Sequence, residues 1–104
     1  TGCPYITHYD MWRELYYYVK YCGVTPAFAL YSATLLNARL AGLGNETGSI
    51  EEGKAADLIV CDRDPLADLS ALRTLRMVVR QGWRVENPAP KKMPEVEREL
   101  DRFL

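Results

Sequence analysis

The residues from Thr25 to Gly42 constrain the fold most strongly, because they predict a helix that has almost no polar face. Thr25 suits the N-cap, Pro26 suits the first helical position, and Gly42 or Gly44 suits the end. The few polar side chains do not share a face at about 100° per residue; they are Ser32, Thr34, Asn37 and Arg39. A helix that is apolar on its remaining sides belongs inside a protein. Since 104 residues offer little with which to surround it, we expect a larger parent protein.

Net charge and cysteine content argue against several classes of function. The 13 basic and 14 acidic residues give a formal net charge of −1, which provides no attraction for nucleic acid or an anionic membrane. No apolar run is long enough to span a bilayer. Cys3, Cys22 and Cys61 are odd in number and lack a C-x-x-C spacing, so we expect reduced thiols in a cytoplasmic protein. The chain begins with Thr1 rather than methionine, which we interpret as a truncation.

A first helix is predicted from Asp10, as N-cap, to about Cys22, with Gly23 ending it. It has one charged stripe and a broad apolar and aromatic arc on the opposite side. The stripe consists of Asp10, Arg13, Glu14 and Lys20, and the arc consists of Met11, Trp12, Leu15, Tyr16, Tyr18, Val19 and Cys22. We interpret the tyrosines of this helix as packing and interface residues rather than as a ligand-binding platform; they are Tyr16, Tyr17, Tyr18 and Tyr21.

The hydrophobic period changes to that of strands from Gly48 onward. The predicted elements are a short strand at 48–50, a turn at 51–54, a strand at 56–62, a helical turn at 69–72, and a hairpin with strands at 77–79 and 83–86. The run Leu58 to Cys61 is apolar at consecutive positions, which predicts a strand covered on both faces. Gln81 and Gly82 suit the two-residue turn of the hairpin.

The C-terminal tail is predicted to be a linker over residues 87–94, followed by a short amphipathic helix that starts near Pro94. About three turns of helix are marginal in isolation, so this helix must dock if it is ordered. Its apolar side consists of Val96, Leu100, Phe103 and Leu104. We interpret the carboxylate pairs Glu97–Asp101 and Glu51–Glu52 as solvated surface without an acid–base function.

Residues typical of a catalytic centre are scarce. His8 is the single histidine, so neither a His-x-His pair nor a histidine-rich metal cage can be built from this chain. The sequence shows no phosphate-binding glycine loop, and no serine or cysteine stands in a nucleophile context. We therefore predict no catalytic residue and no metal ligand within the 104 residues.

Three stretches carry a family resemblance. They are Thr25-Pro26-x-x-Ala29-Leu30-x-x-Ala33-Thr34 with Ala38 and Gly42-Leu43; Gly48-x-Ile50-Glu51-x-Gly53-Lys54-x-Ala56-Asp57-Leu58-Ile59-Val60-x-Asp62 with Asp64-Pro65-Leu66; and Met77 to Val85. In this order and spacing they resemble the last barrel helix and the closing strands of the amidohydrolase superfamily. The imidazolonepropionase-like and prolidase-like members are the nearest group. The resemblance covers roughly residues 25–86 of the chain.

The resemblance implies an α/β fold. Residues 1–43 would form a loop and the last two helices of a (β/α)8 metal-dependent hydrolase barrel. Residues 44–88 would form strands of its small β-sandwich domain, and residues 89–104 a linker and a terminal helix. The resemblance also implies a parent that binds zinc or another divalent metal through residues upstream of Thr1, so that this chain itself holds no cofactor.

Two features depart from the family pattern. Phe28 stands three residues after the cap, where relatives usually have a glutamate that completes a capping box. The tail after Pro88 has no counterpart that the resemblance identifies.

His8 and Cys3 are the candidate substrate-binding residues. In the intact enzymes that this chain resembles, the loop after the eighth strand borders the active-site mouth, where an imidazole could contact substrate. A surface histidine at the start of a helix is the simpler interpretation of His8, and we favour it. Cys3 beside Pro4 is the weaker of the two candidates.

The leading hypothesis is a C-terminal fragment of a hydrolase that acts on non-peptide or dipeptide-type carbon–nitrogen bonds. Such a fragment would be inactive alone, and its partner would be the remainder of the barrel. The alternative is a self-associating interaction module derived from such an enzyme, since a free fragment could bury its apolar helix only against a second copy. A small cytoplasmic ligand-binding domain would need a pocket that the sequence does not show.

Overall fold

The computed structural model describes residues 9–104, in which helices pack beside a small antiparallel sheet. The elements in chain order are α1 (Met11–Cys22), α2 (Pro26–Tyr31), a π-helical segment (Ser32–Leu36), α3 (Asn37–Leu40), β1 (Leu58–Cys61), a 3₁₀ helix (Leu69–Arg73), β2 (Leu75–Arg80), β3 (Trp83–Glu86) and α4 (Pro94–Asp101). No helix in this range is both long enough and apolar enough to cross a membrane. At this coarse level the predicted α/β combination of helices and strands is confirmed.

Helix α1 has the predicted bounds. Gly23 ends it with a left-handed φ of 70°. Asp10 precedes the helix, but its side chain caps no backbone N–H, so the predicted side-chain cap is wrong. The carboxylate instead accepts hydrogen bonds from the Trp12 indole at 3.1 Å and from Arg13 Nε at 3.0 Å. These two side-chain donors occupy the oxygens that a cap would need.

Helix α2, the π-helical segment and α3 follow one another without a break, and we call them together the second helix. Its predicted start is confirmed, because the backbone N–H of Phe28 donates to Thr25 Oγ1 at 3.1 Å. Gly42, with φ of 79°, follows its end as predicted. The π-helical turn was not predicted, since the apolar spacing alone does not distinguish it from an α-turn. Within it the Thr34 hydroxyl donates to the Leu30 carbonyl at 2.7 Å.

Residues 48–50 form no strand, so the prediction of a short strand there is wrong. Gly48 has φ of 97° and lies against the second helix so closely that a Cβ would stand 2.7 Å from the Cβ of Ala38. The segment therefore packs along the helix instead of pairing with a strand. Both the backbone angle and the close approach require glycine. The neighbouring turn at 51–54 is confirmed.

The three strands form an antiparallel sheet in the order β1–β2–β3. The β2–β3 hairpin is confirmed, and its turn residues Gln81 (φ 49°) and Gly82 (φ 82°) both adopt the left-handed conformation of a two-residue hairpin turn. Strand β1 pairs with β2, with an irregular register between Val60 and Cys61. The strand β1 was predicted to be covered on both faces. Residues 9–104 do not cover it in this way, because Ile59 is 48% and Val60 38% exposed.

The buried core lies along α1, which packs on the second helix and on the 3₁₀ helix. Its apolar members are Trp12, Ala29, Ala38, Leu69 and Ala71. The helical turn predicted at 69–72 is confirmed as the 3₁₀ helix, whose Asp68 cap accepts the Ser70 N–H at 2.9 Å. Helix α4 forms at its predicted position and docks against α1 through charged side chains.

Candidate functional site

The two candidate substrate-binding residues, His8 and Cys3, lie outside the described residues and stay predictions. Within the described range, interacting charged side chains gather where the N-terminal end of α1 meets α4. We call this group the Arg13 cluster. It consists of Asp10, Arg13, Arg73, Glu97 and Asp101.

Arg13 lies at the centre of this cluster and is fully buried, with 0% of its surface exposed. Its Nε lies 3.0 Å from Asp10 Oδ2, while its Nη2 lies 3.0 Å from Glu97 Oε2 and 2.8 Å from Asp101 Oδ1. One guanidinium thus binds three carboxylates that come from opposite ends of the chain. Charge-assisted contacts of this kind compensate for removing the guanidinium from water.

Arg73 brings a second cation from the 3₁₀ helix. Its Nη2 lies 3.3 Å from Asp101 Oδ2 and 3.6 Å from Glu97 Oε2. The ring of Trp12, which is 5% exposed, has the Cζ atoms of Arg13 and Arg73 at 4.7 and 4.8 Å from its centroid. Cations at this range of an indole are attracted by its ring. Trp12 therefore joins α1 to the 3₁₀ helix at the edge of the cluster.

The carboxyl groups of the cluster differ in their affinity for a proton. Burial raises the pKa of Glu97, and the neighbouring Asp10 carboxyl raises it further, although Arg13 acts in the opposite direction. Burial also opposes ionisation of Asp101, but hydrogen bonds from Arg13 and Arg73 outweigh it and hold the pKa of Asp101 below its ordinary value. Burial acts against the charge on Arg13 as well, yet its contacts with Asp10 and Asp101 raise the pKa of Arg13. Glu97 is consequently the carboxyl whose environment favours the protonated form.

The interpretation of the Glu97–Asp101 pair as solvated surface is wrong for Glu97, whereas 37% of the Asp101 side chain is exposed. Glu97 is only 8% exposed, and it contacts Arg13 although the two residues are 84 positions apart. No local spacing could reveal this pair. The signal that the sequence did offer for this pair was opposite charge on two amphipathic helices. A basic residue stands in the first turn of α1, and two carboxylates stand four residues apart on α4. Glu51 and Glu52, by contrast, are exposed as predicted.

A divalent metal does not fit the Arg13 cluster. Its carboxylates converge on a guanidinium, which already supplies the positive charge that a metal would bring. Across residues 9–104, no three His, Cys, Asp or Glu side chains are grouped so that they could hold a metal ion. This part of the chain offers no ligand set for the metal that the family resemblance implies.

A groove of about 590 Å³ runs between α1 and the second helix. Tyr17, Tyr18 and Tyr21 line it together with apolar and polar side chains of both helices, among them Leu15 and Asn37. The tyrosine rings pack against neighbouring rings, with centroid separations of 5.9 Å for Tyr17–Tyr21 and 6.3 Å for Tyr18–Phe28. Tyr21 is nevertheless 71% exposed. The predicted packing role is therefore observed, and the interface role stays a prediction.

The aspartates of the family motif hold the fold together. Asp57 accepts the Gln81 N–H at 2.8 Å and the Thr47 hydroxyl at 2.9 Å, which ties the loop after the second helix to the hairpin turn. These two hydrogen bonds, led by that from Gln81, keep the pKa of Asp57 below its ordinary value. Asp62 Oδ1 lies 2.6 Å from Arg76 Nε, across the β1–β2 pair. The motif carboxylates thus have structural partners, as expected for scaffold residues.

Comparison with known proteins identifies the family of the chain. The sequence model of the amidohydrolase family matches residues 3–85. An imidazolonepropionase from Picrophilus torridus is 39% identical over 69 residues, which cover 66% of this chain and 18% of that protein. An N-substituted formamide deformylase from Arthrobacter pascens is 45% identical over 68 residues, which cover 62% of this chain and 12% of that protein. The chain belongs to the amidohydrolase family.

A solved structure from Bifidobacterium longum, provisionally assigned as a prolidase, matches with a TM-score of 0.91 at 43% identity. The match covers 98% of this chain and 25% of that protein. It therefore includes the tail after Pro88, for which the sequence alone had suggested no counterpart. The resemblance to imidazolonepropionase-like and prolidase-like proteins is confirmed, and the chain spans less than a fifth of the length of the curated relatives that it matches.

Proposed function

We propose that these residues are the C-terminal part of a metal-dependent hydrolase that acts on non-peptide or dipeptide-type carbon–nitrogen bonds. In this proposal α1 and the second helix belong to the outer layer of a (β/α)8 barrel, and β1–β3 belong to its small β-sandwich domain. Family membership and the short span relative to the relatives support it. The chain contributes scaffold, and other parts of the parent bind zinc or another divalent metal.

The observation that carries this proposal is the apolar surface left open on the elements that match the family. Large apolar side chains are exposed on both the second helix and the sheet; they include Phe28, Leu36, Leu40, Ile59, Val60, Trp83 and Val85. Exposed apolar surface of this extent is unusual in a small soluble domain and is typical of an interface. In the proposal the remainder of the barrel and of the sandwich covers it.

The relatives also indicate what this segment does not determine. Proteins named for two different activities match stretches of similar length at 39% and 45% identity. A segment shared across different activities supports architecture rather than substrate choice. We therefore assign no catalytic step to the described residues, and His8 and Cys3 stay the candidates for substrate contact.

The test compares the 104-residue chain with a protein expressed from the same source reading frame together with its upstream sequence. Both would be assayed, with zinc, cobalt or manganese, on Xaa-Pro dipeptides, N-substituted formamides and small lactams. We expect hydrolysis by the longer protein alone, and its loss after treatment with a chelator. Hydrolysis by the short chain would contradict the scaffold role, and an inactive longer protein would contradict the proposed activity.

A second candidate is the self-associating module, which the groove beside Tyr17 and Tyr21 favours because it is open to a second copy. Light scattering separates the two candidates. A discrete oligomer of fixed stoichiometry supports the module, whereas polydisperse aggregates support a scaffold piece that lacks its cover. Within the described residues Cys22 and Cys61 are not joined by a disulfide, while Cys3 lies outside them. The reduced state of all three thiols and the cytoplasmic location stay predictions.

A further inference from the structure

The C-terminal residues 88–104 are attached to the N-terminal end of α1, and we call them the strap. The backbone N–H of Met93 donates to Tyr9 Oη at 2.9 Å. Farther along the strap, Glu97 Oε2 and Asp101 Oδ1 lie 3.0 and 2.8 Å from Arg13 Nη2. The strap is thus joined to the start of α1 through polar and charged groups.

The apolar side chains of the strap contribute less to its attachment. The buried residue of α4 is Glu97, whereas Val96 and Leu100 are half-buried. Met93 and Phe103 are 54% and 60% exposed. By contrast, α1 packs closely on the second helix and on the 3₁₀ helix, and α4 packs as closely on no described element. Because burial of apolar surface is the main stabilising contribution to packing, the strap is held less firmly than α1.

The contacts around Arg13 divide into those that cross to the strap and those that do not. On the α1 side, Arg13 keeps Asp10 at 3.0 Å and the Trp12 ring at 4.7 Å, and Arg73 keeps the same ring at 4.8 Å. If the strap leaves, water reaches its carboxylates and the two guanidinium groups, and this hydration offsets much of the lost ion pairing. The α1 side therefore retains contacts of its own without the strap.

We infer that the strap detaches from α1 as one unit while the other helices and the sheet stay folded. A helix as short as α4 is marginal in isolation, so it unfolds when it leaves α1 and its backbone hydrogen bonds open together. Detachment opens a cavity of about 240 Å³ that Trp12 lines together with Pro88 and Pro90. This device lies beyond the proposed function and does not depend on it.

Hydrogen exchange followed by mass spectrometry tests this inference. The chain is studied in dilute solution in which light scattering shows no aggregates, or within the longer protein if the chain alone aggregates. The reporter amides are those of residues 97–102 in the strap, and the reference amides are those of residues 16–22 in α1. After correction for intrinsic rates, we expect the reporter amides to share one opening constant and to exchange at least about tenfold faster than the reference amides. Low urea should change this constant only slightly, because detachment exposes little surface.

Two variants weaken the attachment from opposite sides. Asp101→Asn removes a charge that lies 2.8 Å from Arg13 and 3.3 Å from Arg73, so the reporter amides should exchange severalfold faster while the reference amides stay unchanged. Tyr9→Phe removes the oxygen that accepts the Met93 N–H, and it should act in the same direction with a smaller effect.

Glu99→Gln is the matched control for Asp101→Asn. Glu99 is on the same helix, 62% of its side chain is exposed, and it pairs with Arg102 of the strap itself. The same change from carboxylate to amide should therefore leave both sets of amides unchanged.

Three results would overturn the inference. If the reporter and reference amides exchange equally slowly, and Asp101→Asn accelerates both, the strap belongs to the main folding unit. If the reporter rates decrease steadily from the C-terminus inward without a shared constant, the helix end frays and no unit detaches. If neither Asp101→Asn nor Tyr9→Phe changes the reporter rates, these contacts do not hold the strap.

Discussion

The N-terminal end of α1 and the strand β1 reverse the usual relation between polarity and burial. Asp10 and Arg13 are both 0% exposed, whereas Ile59 and Val60 are 48% and 38% exposed. Arg13 is buried because carboxylates reach it from the other end of the chain, and Asp10 is buried beside Arg13, its partner three positions away. The apolar residues are open because no described element covers them. Whether a residue of this chain is buried thus depends more on the partners it meets in the fold than on its residue type.

The two regions also differ in completeness. The five members of the Arg13 cluster all lie within residues 9–104, so the contacts among them form inside this chain. The open faces of β1 and of the second helix need a cover that these residues do not supply. Substitutions in the first region should therefore affect this chain directly, and substitutions in the second should matter only where the cover is present.

Arg13→Met should have the largest effect. Among the described residues, Arg13 is the cation that touches Asp10, Glu97 and Asp101 together, so its removal leaves buried carboxylates with less compensation and costs about 3–5 kcal/mol of the free energy of unfolding. Urea denaturation followed by circular dichroism measures this loss. The control is Arg102→Met, since the Arg102 side chain is 75% exposed and pairs with Glu99 alone. That variant should lose less than about 0.5 kcal/mol, and equal losses would show that the cluster is not the stabilising element.

Gly48→Ala should have the next largest effect, and Gly53→Ala is its matched control. Both glycines have positive φ, 97° and 87°, so each substitution incurs about 1–2 kcal/mol of backbone strain. Only at Gly48 would the new methyl overlap a neighbour, 2.7 Å from the Ala38 Cβ. This overlap should add about 1–3 kcal/mol. Equal urea midpoints for the two variants would mean that the loop after the second helix does not pack on it as described.

Acid should weaken the Arg13 cluster through Asp101. The pKa of Asp101 in the folded chain lies below its ordinary value of 3.8, so on acidification the unfolded chain takes up this proton first. Its stabilising contribution is complete above pH 3.8 and is lost as pH falls through the lower folded value. Asp101→Asn, which cannot titrate, should lose less stability between about pH 4 and pH 2. Urea midpoints at several pH values measure the slopes, and parallel curves for the two proteins would refute the assignment.

Leu40→Ala should have the smallest effect on this chain. Leu40 is 86% exposed at the end of the second helix, so its truncation should change the free energy of unfolding by no more than about 0.5 kcal/mol. Leu69, which is 2% exposed, is the contrast, and Leu69→Ala should cost about 2–5 kcal/mol. In the longer protein the cost of Leu40→Ala should rise as the site becomes covered. An unchanged small cost there would argue against a cover at this face.

Features that depend on a few neighbouring residues could be predicted from the sequence. The Thr25 cap reaches Phe28, three positions away, and the Gln81-Gly82 turn needs only two residues with positive φ. The family resemblance belongs to the same category, because its motif residues occupy caps, turns and strand ends. The candidate substrate contacts, His8 and Cys3, came from that resemblance alone, and their positions lie outside the described residues.

The amino-acid sequence was thus sufficient to predict the family, the helix ends and the hairpin, since each of these depends on short-range geometry. Three-dimensional packing decided that Glu97 is buried against Arg13, 84 positions away, and that Gly48 lies on the second helix instead of in a strand. The physical reason is that the free energy of burying a side chain depends on the area and the partner that it meets. Both are set by segments that are distant in sequence, and no local pattern contains them.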